Sequence, residues 1–61
     1  MYNIKCDEYL SNIYSEPKFD SFIIGFMDIG ERDHVIKIEN GFLYLENKKG
    51  WIHYIGVSRE Y

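Results

Sequence analysis

The dipeptide Asn40-Gly41 constrains this chain more than any other pair of residues. Both inner positions of a type I′ turn need positive φ, which Asn and Gly tolerate, and such a turn joins two antiparallel strands in a fixed register. His34 to Glu39 and Phe42 to Asn47 flank it as strand-like runs. A two-residue loop sets Glu39 opposite Phe42, Ile38 opposite Leu43 and Ile36 opposite Leu45. A second signal, Asn47-Lys48-Lys49-Gly50, suits a type I turn followed by a glycine bulge. Read as a loop over Lys48 to Gly50, it sets Asn47 opposite Trp51, Leu45 opposite His53 and Leu43 opposite Ile55. The last strand then runs from Trp51 to Arg59. Upstream, Ser21 to Ile29 reads as a strand that is apolar on both sides, with Phe22, Ile24 and Phe26 on one and Ile23, Met27 and Ile29 on the other, closed by the turn Gly30-Glu31-Arg32-Asp33.

The segment before Pro17 has a different period. Cys6, Tyr9, Leu10, Ile13 and Tyr14 fall at i, i+3, i+4, i+7 and i+8, which predicts an amphipathic helix from Lys5 to Ser15. Asn3 suits its N-cap, and Asp7 and Glu8 suit its positive end. The residue before Pro17 is biased away from helix. The expected fold is α+β: one domain spanning residues 1–61, with an N-terminal helix packed on a four-stranded antiparallel meander.

This register sorts the side chains. One face collects Ile36, Ile38, Leu43, Leu45, Ile55 and Val57, and the helix is expected to cover it. The other collects Val35, Lys37, Phe42, Tyr44, Glu46, Ile52 and Tyr54. A four-residue loop at the second turn would flip the last strand, sending Tyr54 into the core and moving Trp51, His53 and Ile55 to the second face. In either register the second face is rich in large side chains. The chain termini are too short to hide it, so a second molecule is expected over Phe42, Tyr44, Trp51, Ile52 and Tyr54. Tyr, Trp and Phe are enriched at interface cores.

Size supports that expectation. Folding 61 residues buries about 6,000 Å², mostly apolar, which contributes roughly 90 kcal/mol. Ordering the chain costs about as much, at roughly 1.5 kcal/mol per residue. A domain this short usually needs a disulfide, a metal or a second subunit. Cys6 is the single cysteine, so an intrachain disulfide is excluded. A homodimer is the expectation that remains, joined through the second face or through the edge of the antiparallel sheet. Low cysteine usage, no leader-like segment and no long apolar run point to a soluble cytoplasmic protein without membrane insertion.

The net charge of −3 argues against a phosphate-backbone binder. Lys48 and Lys49 beside Trp51 and Tyr54 form the one constellation that could stack a single-stranded base, and this is the alternative reading. No pattern supports catalysis or a cofactor. His34 and His53 lack ligand spacing for a metal. Cys6 sits at an apolar position, where cysteine behaves as a small hydrophobe. The isolated glycines make no phosphate loop.

The hairpin stretch IENGFLYLENKKGWIHY, together with short length, acidity and heavy use of Ile, Lys, Asn and Tyr, resembles small phage-encoded inhibitors of bacterial defence systems, such as the Hachiman anti-defence family. The resemblance lies in overall character and assigns no residue a role. It implies a non-catalytic protein that binds and blocks a host protein complex, and so a host protein target.

Overall fold

The computed structural model describes all 61 residues as seven strands and one short 3-10 turn. In chain order the strands are β1 (Tyr2–Cys6), β2 (Ser11–Tyr14), β3 (Ile23–Met27), β4 (Arg32–Glu39), β5 (Phe42–Leu45), β6 (Gly50–His53) and β7 (Val57–Glu60). The 3-10 turn, Tyr54–Gly56, separates β6 from β7. All pairings are antiparallel, and the sheet order is β3-β2-β6-β5-β4-β1-β7.

No helix forms between Lys5 and Ser15, so the α+β expectation is corrected to an all-β fold. Residues Tyr2–Cys6 and Ser11–Tyr14 are strands, and the segment between them is a turn. Two physical reasons stand out. Asn, Asp, Ser, Tyr, Ile and Cys dominate this stretch, and all are mediocre helix formers. An isolated helix this short is also marginal without tertiary packing. The same residues satisfy a period of two: Ile4 and Cys6 alternate inward on β1, and Ile13 points inward on β2. Tyr9 and Leu10, which a helical stripe would bury, are exposed in the turn.

The first hairpin signal forms as expected. Asn40 and Gly41 have φ of 53° and 77°, and Glu39 faces Phe42 while Ile38 faces Leu43. Beyond that the register slips. Lys37 pairs with Tyr44 and Val35 with Leu45, leaving Ile36 as an extra residue. Val35 consequently enters the core, and Ile36 is exposed.

The second turn corrects the three-residue loop. Leu45 pairs with Gly50, Leu43 with Ile52 and Phe42 with His53, so the loop is the four residues 46–49. Lys49 takes a φ of 57° and donates its N–H to the Leu45 carbonyl at 2.9 Å. Ile52 therefore points into the core, and Trp51 and His53 join Phe42 and Tyr44 outside it. Tyr54 does not enter the core, because the strand stops at His53 and the 3-10 turn exposes Tyr54 and Ile55.

β4 creases the sheet. Its first half pairs with β1 and its second half with β5, the two halves meeting at Val35. The β4-β1-β7 side contributes Ile4 and Cys6, and the β3-β2-β6-β5 side contributes Ile13, Met27, Leu43, Leu45 and Ile52. With Val35 at the crease these eight side chains form one core. Gly50 sits where β6 meets β2. A Cβ there would collide with the Ile13 methyl and lie 3.1 Å from the Tyr14 carbonyl oxygen.

Candidate interaction surface

The second face is aromatic, and the chain itself covers much of it. Phe19 reaches over from the loop between β2 and β3. Its ring lies 4.9 Å from Phe42, 5.7 Å from Tyr14 and 4.8 Å from His53. Asn40 holds the loop by donating its amide N–H to the Pro17 carbonyl at 3.1 Å. The Ser21 hydroxyl donates to the Lys18 carbonyl at 2.8 Å within it. Tyr44 packs edge-on against Trp51 at 5.2 Å, with the Lys37 ammonium 5.9 Å from the indole. Of the five residues expected at an interface, Phe42, Trp51 and Ile52 are buried within the chain, Tyr44 is half-buried, and Tyr54 is exposed.

Phe19, Tyr54 and Ile55 nevertheless stay exposed on that side, and a second uncovered apolar surface lies at β3. β3 is an edge strand that pairs only with β2. Phe22 is 81% exposed, Ile23 and Ile24 53%, Phe26 56% and Ile29 61%. Ile13 pairs with Gly25 and Tyr14 with Ile23, so Ile24 is an extra residue in a bulge. The bulge turns neighbouring side chains out of strict alternation. No charge and no proline interrupts Ile23–Met27, although those are the usual protections of an exposed edge. The sequence signal was present as apolar residues on both faces of this run, but sequence does not say which strand lies at the edge.

A groove of about 500 Å³ opens beside the aromatic face. Leu10, Tyr14, Phe19, His53 and Ile55 line it, with the Glu8 carboxylate at its rim. Leu10 holds a φ of 53° there, which is uncommon for a bulky residue.

The polar anchor of the fold lies at the start of β4, at the end away from Asn40-Gly41. Asp33 is 6% exposed. Its carboxylate accepts the backbone N–H groups of His34 at 2.6 Å, Asn47 at 3.1 Å and Lys48 at 2.9 Å, and the Asn47 side-chain amide at 2.8 Å. Burial pushes its pKa up, but these bonds outweigh burial and hold it below the ordinary aspartate value. They also explain the four-residue loop, since they fix Asn47 and Lys48 above the start of β4. Glu31 is lowered too, by the Asp28 N–H at 2.6 Å and the Lys48 ammonium at 3.2 Å.

The remaining chemistry-bearing residues are dispersed. His34 bonds the Asn3 side chain at 2.7 Å, and His53 stacks among Phe19, Phe42 and Tyr54. Cys6 is fully buried, with its Sγ 3.2 Å from the Glu8 carbonyl. No three His, Cys, Asp or Glu side chains gather as a metal site, and no helix is long and apolar enough to cross a membrane. Comparison with protein-family models, with characterised proteins and with solved structures found no match to this chain.

Proposed function

We propose that this protein is a non-catalytic protein-binding module whose working surface is the β3 edge. The observation that carries this reading is the set Phe22, Ile23, Ile24, Phe26 and Ile29, each more than half exposed on or beside an edge strand. With aromatic side chains burying about 150–250 Å² each when fully covered, the strip presents roughly 500 Å² of apolar surface. That matches the largest apolar patch of a typical monomer, which is often a functional one. An edge strand offers unpaired backbone groups beside it, so a partner polypeptide can add a strand and bury side chains at once. The strip itself carries no cation, and the chain has a net charge of −3, which favours a polypeptide partner over a phosphate backbone.

For the nucleic-acid alternative, Trp51 is only 7% exposed and the Lys48 ammonium is engaged by Glu31, while Tyr54 stays 56% exposed; one open ring of the expected pair supports stacking less than the β3 strip supports a polypeptide partner.

Inhibition of a bacterial defence complex is the specific form of the role that the resemblance suggests, and the short chain and its uncovered surface suggest that it acts as a homodimer. The test is capture from a host lysate by immobilised wild type, Phe26→Lys and Ile36→Lys. Ile36 is similarly exposed, at 48%, but lies on β4. The proposal expects a captured protein that Phe26→Lys alone loses. Equal capture by all three would refute it, as would salt-sensitive retention of oligonucleotide in place of protein.

A further inference from the structure

The β3 edge takes a specific occupant. Resting on the reading of β3 as the binding edge, we propose that a second copy of this chain pairs with it, β3 against β3 about a two-fold axis, so that the two sheets run on as one.

Three observations lead there. The first is area. Two strips of roughly 500 Å² each, with the backbone and polar atoms between them, approach the ~1,200 Å² at which stable interfaces begin. The second is composition. Self-pairing brings Ile and Phe of one copy against Ile and Phe of the other, and Ile23–Met27 holds no charge that would meet its own kind across the axis. Asp20 and Asp28 lie outside the strand on either side.

The third is closure. The opposite edge, β7, reads Val-Ser-Arg-Glu. Its Arg59 guanidinium lies over the Tyr2 ring at 4.6 Å, and its Glu60 carboxylate takes the Arg32 guanidinium at 2.7 Å. A β3–β7 contact would propagate head to tail into a filament, whereas β3–β3 pairing uses up the single apolar edge and stops at two. The two paired β3 strands make one composite surface, and a protein target meets that surface, so Phe26→Lys removes dimer and capture together.

Sedimentation velocity across the micromolar range tests this, on wild type, Phe26→Lys and Ile36→Lys, each shown by its thermal melt to be folded. The expected result is a concentration-dependent dimer for wild type and Ile36→Lys. Phe26→Lys should weaken association at least about tenfold. A wild type that stays monomeric overturns the second copy as occupant. The binding edge itself would then stand or fall separately, on whether Phe26→Lys loses the captured protein. A dimer that Phe26→Lys leaves intact overturns the location. Open-ended oligomers in place of dimers overturn the two-fold pairing. If Phe26→Lys fails to fold, Ile23→Lys at the start of the strand replaces it under the same criteria.

Discussion

The two edges of this sheet solve one problem in opposite ways. Every open sheet ends in strands with unpaired backbone groups. At β7 the chain sets Ser58, Arg59 and Glu60 along the rim and ties the charges into local contacts with Arg32, Tyr2 and Tyr61. The Ser58 hydroxyl also donates to the Asp7 carboxylate. At β3 the rim is Ile-Ile-Gly-Phe-Met, flanked by Phe22 and Ile29, and the one protective device is the bulge at Ile24. A protected edge is what a solitary domain needs on both sides. One protected and one bare edge is what a pairing domain needs.

The largest effect on the β3 side is expected at Gly50. β2 joins the sheet through the β6 contact, and β3 hangs on β2. Gly50→Ala would press a methyl group into Ile13 and the Tyr14 carbonyl. Because backbone lies on one side, the expected loss is about 3 kcal/mol of stability. The hydrogen-exchange protection of β2 and β3 should be lost before that of β1 and β7.

Asp33→Ala comes next, acting on the β4 half that carries β1 and β7. It strands the N–H groups of Asn47 and Lys48, and the expected cost is about 2–3 kcal/mol by denaturant melt. The same carboxylate gives a pH signature. Its folded pKa is lowered, so its stabilisation is fully present above the unfolded value near 3.8 and is lost as pH falls through the lower folded value. Wild type and Asp33→Asn should differ most at neutral pH and converge under acid conditions. A gap that is constant with pH would show that the carboxylate charge is not what holds the loop.

Phe26→Lys sharpens the contrast from the other side. At concentrations where the chain is monomeric, stability should change by less than about 1 kcal/mol, because more than half of that side chain is already in water. Its effect belongs to association. The smallest effect is expected from Arg59→Ala on the protected edge, at about 0.5 kcal/mol, because its exposed cation–π contacts with Tyr2 and Tyr61 contribute little. That variant should leave association unchanged.

The parts of the fold legible in the sequence were those fixed by local backbone chemistry. Asn40-Gly41 set a turn and the first two pairs of its hairpin because positive φ at both positions admits few residues. The Ile36 bulge was not legible, since nothing at Val35-Ile36-Lys37 distinguishes three alternating residues from two plus an extra. The N-terminal stripe fits a helical period and a strand period at once. Tertiary pairing with β4 and β7 decides between them, and intrinsic propensity pointed the same way. At the second turn the deciding group was Asp33, which gathers Asn47 and Lys48 from across the sheet and lies 14 residues away from the first of them.

The surface was legible in kind more than in place. Phe42, Tyr44 and Trp51 do form an aromatic face, but the loop around Pro17 swings Phe19 over it. That contact depends on where β2 ends, and strand order decides this. The two-sided apolar character of Phe22 to Ile29 was visible in the sequence. Its meaning depends on whether the strand lies inside the sheet or at its edge.

Amide hydrogen exchange at two protein concentrations, read separately over Ile23–Met27 and Val57–Glu60, separates a pairing edge from a protected one. Raising the concentration should slow exchange in β3 and leave β7 unchanged. Exchange in β3 that ignores concentration, or protection that rises in β7 instead, would contradict pairing through β3.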